Sequence, residues 1–260
     1  MAKTLSPWTV WGLLRELKIA AQETRPLVVS GPLAEQLAKE LSRGAAPGAV
    51  RVGGRVQDAA CLIRLLAGAP TEADEQELKA AKRAQVPVVV VQTGTEDFDI
   101  PYVLATDVVT CRPGEGFPVE EIAAAVSARL GEAGTGLAAR LPVLREPLCR
   151  ELIESFSRKN GILAVAIFVP GADFPVLTLN QIRLVLRLGA AHGVDVDQQR
   201  LPEVLATVAA GFGFRAVARQ LLGAIPIAGW AVKGGVAYAG TRALGEAAMR
   251  YFQQVSRQPV

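Results

Sequence analysis

The chain has 260 residues, 50% of them hydrophobic and only 5% aromatic, with a mean hydropathy of +0.28 and a net charge of +3. That length supports one large or two ordinary domains with a substantial core. The three cysteines, Cys61, Cys111 and Cys149, are far apart and form no CxxC pair, which speaks against a disulfide framework or a zinc site and fits a reducing compartment.

Charge divides the chain. Residues 1–135 carry 14 Lys/Arg against 17 Asp/Glu, whereas residues 136–260 carry 14 against 8. An acidic first half adjoining a basic, more apolar second half suggests two modules with different surroundings.

The N-terminus, MAKTLSPWTV, has neither the apolar run nor the cleavage site of a secretory signal. A helix is expected over residues 1–22. Ser6 suits the N-cap and Pro7 the first helical position, and Val10, Leu13, Leu14, Leu17 and Ala21 form one apolar stripe. Such a stripe packs on its own protein, or else on a partner or a membrane.

Strands and helices then alternate. Leu27–Ser30 reads as a buried strand and Leu33–Leu41 as a helix, with strands at Ala49–Val52 and Ala59–Leu66. Thr71 and Asp74 have capping-box spacing for a helix through Ala84. Val86–Val91 is a β-branched run of the kind buried on both faces of a parallel sheet. Tyr102–Thr110 is a further strand and Val119–Leu130 an amphipathic helix. This rhythm predicts an α/β domain over 23–132, a doubly wound, mostly parallel sheet with right-handed crossovers.

Gly131–Gly136 (GEAGTG) reads as a linker. Beyond it no strand pattern remains, and a helical bundle domain is expected over 140–256. Its helices are drawn at 144–169, 177–192, 202–222 and 226–253.

Little in the chain announces chemistry. After the Leu27–Ser30 strand comes Gly31 and then directly a helix. The GxxxxGK[ST] loop that grips phosphates is lacking, with no Lys and no hydroxyl in place. The single histidine, His192, has no Ser or Cys constellation beside it in sequence, so a helix-end cation or solvated polar end is expected rather than a catalyst. Asp58 precedes its strand and reads as a turn residue rather than a magnesium ligand. Glu96, Asp97 and Asp99 follow the Val86–Val91 strand, at the sheet edge where ligands bind, or in a solvated loop.

Taken in order, VVSG, VPVVVVQTGTED and VVTCRPGEGFPVEEIAAAVSARL resemble a small GTPase domain of the Era/TrmE-like class over residues 24–131. The resemblance implies a P-loop-NTPase-like sheet. The residues depart from it at each working position. Gly94 and Glu96 stand where a guanine-reading Lys and Asp would fall, Thr93 alone could keep its place, and Gly31 is what remains of the phosphate loop. Gly31, Thr93, Gly94 and Glu96 would then be a vestigial nucleotide site, and the domain a pseudo-GTPase.

The segments VPGADFPVLTLNQIRLVLRLGAAHGVDV and IPIAGWAVKGGVAYAGTRALGEAAMRYF resemble an uncharacterised bacterial helical family found fused to, or beside, GTPase domains. That resemblance covers residues 145–254 and implies an intracellular bacterial protein, with no catalytic residues to carry over.

Leu221–Thr241 holds 21 residues with one charge, Lys233, and is interrupted by Pro226. A span needs about 20 mostly apolar residues, so insertion competes with a soluble bundle and with peripheral contact. Arg183 and Arg187 lie four apart on one helix, Arg215 and Arg219 on another. With Lys233 they form a candidate surface for anionic lipid or a partner. Interleaved aromatics and a recognition helix are missing, so nucleic acid is not expected.

The functional expectation is a non-enzymatic scaffold or regulatory protein with no cofactor and no metal site. It would dock through its helical domain to a protein partner, a GTPase among the candidates, or to an anionic membrane surface. Its location would be cytoplasmic, with a peripheral or integral place at the inner membrane left open. The rivals are a GTP-binding protein with an atypical phosphate grip and a soluble partner subunit of a true GTPase.

Overall fold

The structure is a computed structural model. It describes residues 24–94, 98–112, 114–166, 174–194 and 230–256, with 12, 15 and 206 singly. The expected helices over 1–22 and 202–222 lie outside the described residues. The chain divides into two compact units, a first of Gln22–Leu148 and a second that takes up the chain from Cys149.

The first unit holds a five-stranded, all-parallel sheet: β1 (Leu27–Ser30), β2 (Val50–Val52), β3 (Cys61–Leu66), β4 (Val88–Gln92) and β5 (Val108–Thr110), in the order β2-β1-β3-β4-β5. Its helices are α1 (Ala34–Leu41), α2 (Glu72–Arg83), α3 (Val119–Leu130) and α4 (Thr135–Arg140). From β1 the chain steps one way to β2, and from β3 it steps the other way through β4 to β5. Right-handed crossovers in opposite directions place α1 and α2 on opposite faces.

The core follows that division. Val28, Leu62, Val88 and Val90 share one face with Leu78 and Ala81 of α2. By alternation, Leu27, Val29, Ile63, Leu65, Val89 and Val91 point to the other face, each 0% exposed. There α1 contacts β1 and β2, and α3 contacts β4 and β5. Each such side chain contributes about 1.5–3 kcal/mol of burial free energy, so β1, β3 and β4 are held from both sides.

Helix α2 opens on the predicted capping box. The Asp74 amide donates to Thr71 Oγ1, and the Thr71 amide donates to Asp74 Oδ2. Two expectations fail here. The strand drawn from Tyr102 shrinks to Val108–Thr110, because Tyr102 has a left-handed φ of 69° and Ala105–Asp107 form a 3-10 turn. The expected linker Gly131–Gly136 is a 3-10 turn, Gly131–Gly134, running into α4. Gly134, Thr135 and Gly136 are buried. A Cβ on Gly134 would lie 2.9 Å from Leu130 Cβ and 3.1 Å from Leu148 Cδ1. Its glycine serves close packing rather than flexibility.

Helix α5 (Arg145–Ala166) starts in the first unit and runs into the second, which also holds α6 (Phe174–Ala191) and α7 (Trp230–Val255). Pro175 sits in the first turn of α6, where its missing amide costs nothing. Helices α5 and α7 are antiparallel and touch closely: a Cβ on Gly234 would lie 2.7 Å from Val165 Cγ2 and 3.0 Å from the Gly161 carbonyl oxygen. A neutral network joins the three helices. The Asn160 amide donates to Thr241 Oγ1 (2.9 Å), that of Asn180 to Asn160 Oδ1 (3.0 Å) and that of Gln181 to Thr241 Oγ1 (3.3 Å). Asn160 and Thr241 are both 0% exposed. Among the described residues no helix is long and apolar enough to cross a membrane.

Candidate functional site

In a sheet of this order, ligands bind beyond the carboxyl ends of the strands, at the switch point between β1 and β3. The chain there is tight. Gly31 has φ 101°, and a Cβ on it would collide with the Leu65 carbonyl oxygen, so only glycine fits against β3. Gly31, Pro32 and Leu33 make up the whole connection from β1 to α1, with the Ala34 amide donating to the Gly31 carbonyl (3.3 Å). Leu33 takes the N-cap position with a left-handed φ of 62°, and no side chain caps the helix. A connection of three residues has no backbone left to wrap around a phosphate.

The switch point is occupied by the protein's own charges. Ser30 and Arg64 are register partners on adjacent strands. Asp74 and Glu77, three apart on α2, share one helical face above them. The Arg64 guanidinium donates through Nε to Asp74 Oδ1 (2.8 Å), through Nη2 to the same oxygen, and through Nη1 to Glu77 Oε2 (2.6 Å) and Ser30 Oγ (3.1 Å). Ser30 Oγ donates to Glu77 Oε2 (3.1 Å). Burial works to raise the Asp74 carboxyl, but hydrogen bonds from Thr71 and Arg64, with the Arg64 charge, outweigh it and hold the group below its ordinary value. Every nitrogen of Arg64 is engaged. The one cation here is already neutralised and is not on offer to an anionic ligand.

Sequence reasoning missed this network. The only local signal is one arginine inside an apolar strand, CLIRLL. Its partners become visible only with the β1–β3 register and the seat of α2.

The vestigial-site residues fall at the same edge of the sheet. The Thr93 amide (2.9 Å) and hydroxyl (3.3 Å) both point to the Leu66 carbonyl, so the hydroxyl is spent on the neighbouring strand. Gly94 follows it, with the Ala67 carbonyl oxygen 3.5 Å from where its Cβ would be. Glu96 and Asp97 lie outside the described residues, and Asp99 is exposed. Asp58 ends a 3-10 turn and pairs with Arg55 (3.3 Å), as its reading as a turn residue requires. Among the described residues no group of three His, Cys, Asp or Glu is placed to hold a metal ion.

In the helical unit the basic residues separate. Lys233 is exposed and Arg183 half-buried, while Arg187 is only 5% exposed. A guanidinium buried to that degree cannot present its charge at a docking surface, which corrects the expectation for Arg187. Arg215 and Arg219 lie outside the described residues.

His192 also departs from expectation. It follows the last residue of α6 but is buried at 6% exposure rather than solvated. Nδ1 donates to the Leu188 carbonyl (2.8 Å), and the ring stacks on Phe252 at 6.3 Å between centroids. Cys149 Sγ lies 3.9 Å from the same nitrogen. The fold thus brings together a Cys–His pair that sequence separation conceals, yet Cys149 is 0% exposed and the pair meets no solvent-borne substrate.

Two grooves open elsewhere. One, of about 560 Å³, lies between the Val56–Asp58 turn and α2, lined by Gln57, Gln76, Lys79 and Arg83. The other, of about 440 Å³, lies between α5 and α7. Neither is lined by Ser30, Gly31, Arg64, Thr93 or Gly94.

No protein-family model matches the chain, and no curated protein matches it.

Proposed function

We propose that the protein works by docking rather than catalysis, as a cytoplasmic scaffold or regulatory protein of pseudo-GTPase type. On this reading its α/β unit is a platform and its helical part meets a protein partner, which includes the case of a true GTPase. One observation carries the reading: the switch point is filled by the Ser30–Arg64–Asp74–Glu77 network beside a connection too short to hold phosphate. A ligand anion entering there would have to displace two carboxylates from one guanidinium, and would meet the remaining negative charge unshielded.

Isothermal calorimetry with GTP and magnesium tests this directly. No heat of binding is expected, and micromolar affinity would overturn the proposal in favour of a GTP-binding protein with an atypical grip.

A second reading, peripheral contact with the inner membrane surface, draws on one feature. Ile162 (68% exposed), Val236 (48%) and Val176 (41%) are open apolar side chains on the three helices, and Lys233 is exposed three residues before Val236. Apolar contact with a nearby cation suits an anionic interface. Flotation with phosphatidylglycerol vesicles decides it: protein that stays at the bottom of the gradient removes this reading.

A further inference from the structure

We propose that the groove between the Val56–Asp58 turn and α2 binds the phosphomonoester group of a small organic molecule. The proposal goes beyond the docking reading and does not depend on it. The groove, of about 560 Å³, is lined by Gln57 from the turn and by Gln76, Lys79, Ala80, Arg83 and Ala84 from α2 and its C-cap. Those α2 positions recur at three and four residues, so they share one helical face. Alanine at 80 and 84 keeps the middle of that face low, which leaves room for a furrow. The facing wall is held in place. Val56 and Ala59, which flank Gln57 and Asp58, are buried in one core cluster with Leu78 and Ala81 of α2. The Asp58 and Ala59 amides close the turn on the Arg55 and Val56 carbonyls (3.1 and 3.0 Å). A wall anchored in this way costs a ligand little ordering on binding.

Charge selects the ligand. Both ionisable residues of the lining, Lys79 and Arg83, are cations, and no carboxylate is among them. Both are exposed, and among the described residues neither has an ion pair or a side-chain hydrogen bond. The acids around them are otherwise placed. Asp58 is bound by Arg55 (3.3 Å), Glu72 accepts from Gln76 (3.3 Å), and Glu75, one turn before Lys79, forms no pair with it. Nor do Lys79 and Arg83 hold the end of the helix. The carbonyls of Ala80, Ala81 and Lys82 receive the amides of Ala84, Val86 and Gln85, and Lys82 stands over the Tyr102 ring, 5.1 Å from its centroid. The two ends of α2 therefore differ: at its start Arg64 is saturated by Asp74 and Glu77, and at its finish two cations are unpaired. A phosphomonoester, with a charge of about −1.5 to −2 at pH 7, balances them. The Arg83 fork suits two of its oxygens and the Lys79 ammonium a third. The volume is of the size that holds small organic ligands rather than a bare ion, so the organic body rests on the alanine floor beside the Gln57 amide.

The probe is phenyl phosphate, titrated into the isotope-labelled full chain and followed by amide shifts in NMR. Saturable binding at about 1 mM or tighter is expected, with the Gln57 side-chain amide among the signals that move, and it should weaken with added salt. The double variant Lys79→Gln/Arg83→Gln is expected to lose affinity about tenfold or more, because both charge-assisted contacts go. Lys79→Arg keeps both charges and is expected to bind as wild type does, and equal thermal melts of the two variants exclude misfolding as the cause. Phenyl sulfate, a monoanion of the same shape, is expected to bind more weakly. Absence of saturable binding, equal affinity in wild type and the double variant, or equal affinity for sulfate and phosphate esters overturns the proposal. So does flotation on phosphatidic acid vesicles by a chain that fails to bind phenyl phosphate, which would make the ligand a lipid headgroup. Micromolar GTP binding that the double variant retains removes the docking reading and leaves this groove untouched.

Discussion

The two units handle buried polarity in opposite ways. The α/β unit places a charged network, Arg64 with Asp74 and Glu77, at the edge where its fold would take a ligand. The helical unit buries a neutral one, Asn160 with Thr241, Asn180 and Gln181, among three helices, and leaves its Arg242 ion pairs with Glu154 and Glu246 open to solvent. A neutral amide–hydroxyl network costs little to desolvate once it is satisfied, and it sets which helical residues face each other. An ionic network costs much more to desolvate and persists only while every partner remains. The first unit therefore has a vulnerable point at Arg64, and the second has a register device.

The largest difference between the units is expected from removing one member of each network. Arg64→Met leaves two carboxylates facing each other with little solvent, and should lower stability by about 3 kcal/mol, read from urea denaturation. Asn160→Leu takes the acceptor from the Asn180 amide and leaves the Thr241 hydroxyl with Gln181 alone, without changing charge, and should lose about 2 kcal/mol. If Asn160→Leu proved the more damaging of the two, the contrast would fail. Thr71→Ala removes the cap that feeds hydrogen bonds to Asp74 and should cost about 1 kcal/mol.

Acid should separate the networks too. Asp74 has a lowered carboxyl pKa, so its contribution is fully present above the unfolded value of about 4 and is lost as pH falls through the folded value. Thermal melts between pH 7 and pH 3 are expected to show Asp74→Asn with a flatter acid limb than wild type, and Asn160→Leu with an unchanged one.

The smallest effect is chemical. Burial, opposed by Arg129 and assisted by Asp107, pushes the Cys61 thiol up to about 12, and Cys149 is fully enclosed. Neither should react with a thiol reagent at pH 8 until urea opens the protein.

Local pattern was enough wherever a residue's role depends on its near neighbours. Val119–Leu130 is a helix end to end as drawn, Thr71 and Asp74 form their box, and the β-branched run becomes β4. It misled where the third dimension intervenes. The glycines of Gly131–Gly136 look like slack but fit a tight contact, and His192 looks like a solvated helix end but lies under Phe252. Arg187 shares a helical face with Arg183 as its spacing says, yet that spacing does not reveal that the face turns inward at residue 187.

What this chain's sequence settles on its own is the run of parallel strands and the lack of a phosphate-gripping loop, because hydrophobic period and loop length are written in consecutive residues. Whether the remaining polar groups stand open or closed was decided in tertiary structure. Ser30, Arg64, Asp74 and Glu77 meet only when β1 pairs with β3 and α2 lies across them, and a charge's partners depend on distance in space rather than along the chain.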